Sequence, residues 1–181
     1  MLETIRAADL FFLHFFFEYR SDPLVPLFSM LSAAGNTTSM IVIALAAVAL
    51  LYVYRRNALG AGLLASMAFS VAVTQILKYA VGEGRPDTLY SVYTEPSYAF
   101  PSGHASAAAA FFGFLAFAAW THIPRGPLRT GVVVIAVLYA TSVTFSRLYL
   151  GVHYMSDVAA GVAIGVCAAW VGALVTRALK T

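Results

Sequence analysis

Charged residues are scarce in this chain. Asp, Glu, Lys and Arg make up 10% of its 181 residues and hydrophobic residues 61%, against about 25% charged and roughly 45–50% apolar in an ordinary soluble domain. So low a charge content excludes a soluble enzyme, a disordered chain and a nucleic-acid-binding domain. Cysteine is nearly absent too. Cys167 stands alone, which excludes an intrachain disulfide and any cysteine-rich metal site. The net charge of +3 conceals an uneven distribution, and the distribution is the informative part.

What the chain has in abundance is long uncharged sequence. The stretches 23–54, 57–77, 96–124, 130–146 and 158–176 hold no formal charge. A bilayer core of ~30 Å needs about 20 helical residues, with a range of roughly 17–25. Lipid offers no partner to a free backbone group, so each span must be a helix. The pattern predicts an all-α integral membrane bundle with five transmembrane helices near 38–54, 58–79, 103–121, 129–146 and 154–176. The stretch 23–54 is too long for one crossing, and Gly35-Asn36-Thr37-Thr38 divides it. Residues 38–181 thus form the membrane domain and 1–37 an N-terminal segment.

In that segment the run Leu10–Phe17 is strongly apolar but too short to cross, and Glu18, Arg20 and Asp22 follow it. Pro23 and Pro26 suit the first turn of a second short helix. An aromatic helix flanked by charges fits the membrane interface, so an interfacial helical hairpin is expected here, with a sixth span as the alternative. No cleaved signal peptide is expected, because Glu3 and Asp9 offset Arg6 where a basic end is required.

Threading the chain through five spans sorts the charges by side. Arg55, Arg56, Arg125, Arg129, Arg177 and Lys180 fall on one side, with no Asp or Glu. All the acids, with Arg6, Arg20, Lys78, Arg85 and Arg147, fall on the other. The positive-inside rule places the basic side, with the C-terminus, in the cytoplasm. Lys78, Arg85, Arg147, His104, His153 and Asp157 then gather at the outward ends of spans. Each alone has an ordinary explanation, since Lys and Arg near helix ends snorkel to the interface. Six ionisable groups at one level of a membrane mark a functional site, because such groups are costly there.

These groups lie in three segments. Lys78 and the pair Arg85-Pro86 are separated by six residues; Pro101-Ser102-Gly103-His104 follows; Ser146-Arg147, five residues, His153, three residues and Asp157 complete the set. Lys78, Arg85 and Arg147 are three cations able to surround a phosphoryl group, whose transfer relies on positioning and electrostatic stabilisation. Arginine binds phosphate oxygens in pairs while lysine acts as a point charge. Pro101-Ser102-Gly103 sits at a helix start, where free N–H groups favour an anion, and Gly103 lets the backbone come close. His153 and Asp157 are four apart, on one helix face, where a carboxylate holds an imidazole in one tautomer.

In these residues and spacings, over roughly 38–176, the chain resembles the type-2 phosphatidic acid phosphatase family, whose three motifs are present in order. The resemblance implies that His153 is the nucleophile forming a phosphohistidine, Asp157 the residue orienting it and His104 the general acid. It implies that Lys78, Arg85, Ser102, Gly103 and Arg147 bind the phosphate. The implied substrate is a lipid phosphate or diphosphate: undecaprenyl diphosphate (a recycling step the family often supplies in bacteria), phosphatidylglycerophosphate, phosphatidic acid or a lipid A phosphate. No cofactor, metal or nucleic acid is implied, and three adjacent cations would repel a divalent ion. The implied location is the cell's inner membrane, with the site facing out. A lipid phosphotransferase using the same site is the alternative, ahead of an anion transporter, which would show internal repeats and broken helices. Vanadium haloperoxidases share a similar anion pocket but are soluble. The remaining features have structural explanations: Gly161 and Gly165 in helix packing, Tyr90, Tyr93 and Tyr98 in an aromatic belt, and His14 and His122 as packing residues.

Overall fold

The computed structural model describes residues 2–179. Lys180, counted above among the basic residues of the cytoplasmic side, lies outside the described residues. Among those described, every regular element is helical: α1 (Leu2–Glu18), α2 (Val25–Ala34), α3 (Thr37–Val53), α4 (Asn57–Val81), α5 (Gly103–His122), α6 (Pro127–Tyr149) and α7 (Met155–Ala178). The chain is a multi-pass membrane protein. Helices α4, α5, α6 and α7 are each long and apolar enough to cross, and α2 with α3 makes a fifth candidate span bent by 50°.

Local chemistry sets the boundaries. Asn36 caps α3 by accepting the Ser39 N–H at 2.8 Å, which satisfies one of the orphan donors of a helix start. α4 stops at Gly82, whose φ of 64° is a left-handed conformation that favours glycine at a helix end. Pro127 opens α6, at a position where its missing N–H costs nothing. The break at Gly35–Asn36 is where the sequence places it. The short helix before it, expected in the interfacial hairpin, meets α3 at a 50° bend, and the two are long and apolar enough for a span only together. Gly35 permits this, since a Cβ there would lie 2.3 Å from the Val143 side chain on α6.

The bundle is organised around α7, which packs chiefly on α5 and α4, while α6 packs on α5 and is the most lipid-exposed of the four long helices. The contacts are made by main chain. A Cβ on Gly165 would meet the Ser106 carbonyl at 2.5 Å, one on Gly161 the Ser102 carbonyl at 2.5 Å, and one on Gly172 the Gly62 carbonyl at 2.5 Å. Small residues at such crossings let helices approach where lipid supplies no hydrophobic drive. Helix direction alternates, so 55–56, 123–126 and Arg177 share one end and 82–102 and 150–154 share the other. α1 lies against this second end: Asp9 accepts the Ser156 N–H at 2.8 Å and its hydroxyl at 2.6 Å, His14 lies tilted against Tyr90 and Phe16 meets Phe145 edge to face.

Candidate active site

The second end of the bundle carries all three sequence segments. On α4, Ser66, Ser70, Thr74 and Lys78 recur every four residues and are buried along one face. Ser70 and Ser106 hydroxyls are 2.6 Å apart, and Thr74 donates to Ser106 at 3.0 Å. This polar seam satisfies itself against α5 and ends at the Lys78 ammonium, which donates to the Tyr98 carbonyl. After Gly82 the chain leaves the helix and brings Arg85 back over the site.

His153 follows α6 and precedes the first turn of α7. Its Nδ1 is 3.1 Å from Asp157 Oδ2, and the same oxygen accepts the Tyr154 N–H at 2.8 Å. Asp157 therefore orients the imidazole and satisfies an N–H at the start of α7 with one atom. On the other side of the ring, Arg85 Nη1 lies 3.0 Å from Nε2. A guanidinium only donates, so Nε2 carries the lone pair and Nδ1 the hydrogen. These partners assign the tautomer. His153 is 2% exposed. Burial first, then the Arg85 and Arg147 cations, push its pKa well below the ordinary 6.5, which keeps the ring neutral and nucleophilic. The Ser102 N–H donates to the Asp157 carbonyl at 3.0 Å, tying the start of α5 to that of α7.

A cavity of about 410 Å³ opens in front of these groups. Lys78, Arg85, Gly103, His104 and His153 line it, with Glu95 from the loop. Of the eight residues singled out from sequence, these first five face one space. The other three stand behind it. Asp157 is wholly buried under His153. Ser102, also wholly buried, caps α5 through a long 3.5 Å contact from the Ala105 N–H. Arg147 is likewise fully covered, and its guanidinium donates to the Ser32 hydroxyl, the Tyr93 hydroxyl and Glu95.

Sequence reasoning missed Glu95, which forms ion pairs with both Arg85 and Arg147. Burial alone would raise its pKa, but Arg147 and Arg85 outweigh that and hold the carboxyl below the usual glutamate value. Nothing in the pattern around 95 singles it out. Tyr93, assigned to the aromatic belt, instead turns its hydroxyl to Arg147. The seam on α4 was visible as a four-residue spacing of small polar residues leading to Lys78. Among the described residues no group of three or more His, Cys, Asp or Glu could hold a metal ion.

The chain matches known proteins over most of this region. A family model described as the PAP2 superfamily matches residues 59–180. Phosphatidylglycerophosphatase B of Bacillus subtilis (strain 168) is 36% identical over 107 residues, covering 58% of this chain and 52% of that protein. A lipid A 1-phosphatase of Rhizobium etli is 32% identical over 116 residues, covering 59% and 46%. The matched part of the chain thus spans about half the length of these relatives. In overall fold it is similar to the crystal structure of a transmembrane PAP2-type phosphatidylglycerolphosphate phosphatase from Bacillus subtilis. The TM-score is 0.82 at 24% identity, covering 98% of this chain and 86% of the other.

Proposed function

The chain belongs to the PAP2 superfamily, and from that premise we propose that it is a membrane phosphatase hydrolysing a lipid phosphate or diphosphate through a phosphohistidine on His153. The observation that carries this reading is the clamping of the imidazole between Asp157 and Arg85, which leaves a neutral ring with its lone pair on the cavity side. In the first step the incoming phosphoryl oxygens take over the Arg85 Nη1–H that Nε2 accepts in the empty site; the freed Nε2 lone pair attacks phosphorus, an N–P bond forms and the P–O bond to the lipid breaks. His104, lining the same cavity, gives its proton to the departing oxygen. In the second step water attacks the phosphohistidine, His104 takes the water's proton, and phosphate leaves with the His153 lone pair restored.

Lys78, Arg85 and Arg147 supply positive charge around the transferred group, an electrostatic contribution fixed before the reaction begins. Gly103 admits the phosphate close to the start of α5, and Ser102 shapes that start as its cap. The charge asymmetry supports a site on the outer face of the cell membrane with the C-terminus in the cytoplasm. The substrate classes that suit the site are phosphatidylglycerophosphate, phosphatidic acid, lipid A phosphates and undecaprenyl diphosphate. Each presents a terminal phosphoryl group on a tail that stays in lipid.

The test is phosphate release from a panel of these lipids by the purified chain in detergent, with alkaline quenching to trap the intermediate. Release should occur from at least one lipid, with a base-stable, acid-labile phosphoenzyme that is missing in His153→Ala. No release from any lipid, or a phosphoenzyme that persists without His153, would overturn the reading.

A further inference from the structure

Among the described residues, Glu95 is the only carboxylate lining the cavity, and it stands where an anion is wanted. Its Oε2 is 2.9 Å from Arg85 Nη2, and its Oε1 pairs with Arg147 Nη2. The other terminal nitrogen of Arg85 is 3.0 Å from the proposed nucleophilic atom, His153 Nε2. A single carboxylate therefore bridges the two arginines that would flank the phosphoryl group. The loop that bears it hangs from the same cations: Arg85 Nε donates to the Ser97 carbonyl at 2.8 Å and Nη2 to the Ser97 hydroxyl at 3.0 Å.

Resting on the phosphatase reading, we infer that Glu95 is a specificity-determining residue that admits dianionic phosphoryl ends and excludes the phosphodiester head groups of bulk membrane lipids. The reason lies in what a ligand must offer to displace it. A phosphodiester carries one negative charge on two free oxygens, as the Glu95 carboxylate does. Exchanging one for the other gains nothing and costs the desolvation of the incomer. A terminal phosphate carries about −1.5 to −2 charges at pH 7 and three strong acceptor oxygens. It can serve Arg85, Arg147 and Lys78 together with charge-assisted hydrogen bonds. Only such a group outbids the carboxylate.

The displaced side chain has somewhere to go. Glu95 is 19% exposed where it pairs with Arg147, so its carboxylate can turn to water while Arg85 Nε keeps hold of the loop backbone. A site open to lipid meets phosphodiesters far more often than its substrate, and without a resident anion the unpaired arginines would bind them. Glu95 thereby keeps the empty site positioned and closed to the commonest anions around it.

The test compares the wild-type chain, Glu95→Gln and Glu95→Asp in detergent. The substrate is a short-chain phosphatidic acid and the competitor dibutyl phosphate, a monoanionic diester. Binding of the diester is also measured by calorimetry, which needs no turnover. In Glu95→Gln the diester should bind and inhibit about tenfold more tightly, or about 1.4 kcal/mol, while the KM for the monoester changes less. Glu95→Asp, which keeps the charge, should exclude the diester like wild type. Glu95→Ser replaces Glu95→Gln if the amide disturbs folding. A folded Glu95→Gln whose diester affinity equals that of wild type, whatever its kcat, overturns the assignment while leaving the phosphatase reading intact. If the wild-type chain leaves phosphatidic acid intact, the monoester is replaced by whichever lipid of the panel it does hydrolyse, and release from none of them overturns both.

Discussion

His153 and Asp157 are joined by a 3.1 Å contact between Nδ1 and Oδ2, and that oxygen also accepts the first N–H before α7. The orienting residue is thus part of the helix start, so the carboxylate cannot swing away from the imidazole without also releasing the Tyr154 N–H. A side chain satisfying an orphan N–H at such a position is typically worth about 1 kcal/mol. Here the same contact keeps Nε2 aimed at the cavity. Structure and proposed chemistry depend on one atom.

The two histidines should separate by leaving group. His153→Ala should abolish turnover of every substrate, since no covalent intermediate can form. His104→Ala should lose about 10²–10⁴-fold on a lipid phosphate and recover much of this on nitrophenyl phosphate, whose leaving group needs no proton. Steady-state kinetics on both substrates decides it. Rescue of His153→Ala instead would exchange the two roles.

Stability should fall in mild acid because of His153. The folded-state pKa lies well below 6.5, while the unfolded ring takes up a proton near 6.5. The unfolded state therefore binds more protons once pH drops below 6.5, and stability declines from there toward the folded pKa. Above 6.5 the effect is absent. Thermal melts in detergent from pH 7.5 to pH 5 should show wild type losing more Tm than His153→Gln; parallel curves would contradict the neutral buried ring.

Gly165→Ala should be costly. The added methyl would lie 2.5 Å from both the Ser106 carbonyl and the Ala109 Cβ, and overpacking of this kind typically costs about 1–3 kcal/mol. Because α5 and α7 carry Ser102 and Asp157, activity should drop with stability. Gly131→Ala on α6 meets nothing within 4 Å and should be neutral or slightly stabilising, by up to about 1 kcal/mol through helix propensity. Paired melts and assays of the two variants give the comparison.

Orientation can be read with an impermeant thiol reagent in a Cys167→Ser background. A cysteine at position 92, in the loop beside the site, should label in intact cells, and one at position 127 should label only after lysis. The reverse pattern would invert the proposed topology.

The spans and five of the cavity-lining residues were legible in the sequence, because hydropathy and charge have one meaning in a membrane. An uncharged run of the right length must cross, and Lys78, Arg85, His104 and His153 are too costly at helix ends to be incidental. The 50° bend that joins α2 to α3 was not legible. The break at Gly35–Asn36 shows where a helix stops but not the angle at which the next one sets off. Glu95, Ser32 and Tyr93 were not legible either. They reach Arg147 from residues 52 to 115 positions away, and only the folded chain brings loop and helix to that guanidinium.

The glycine contacts of α7 have a consequence for how this protein can change over time. With carbonyls of α4 and α5 resting directly on Gly172, Gly161 and Gly165, the separation of the helices that carry Lys78, His104 and Asp157 is gauged by backbone thickness. Residues facing outward on α6, such as Ile135, Val137 and Leu138, are exposed and play no part in that gauge. They are free to drift among apolar types, suiting bilayers of different composition, while the histidines stay in register. Adaptation to a new membrane and retention of the chemistry are thereby uncoupled within one small bundle.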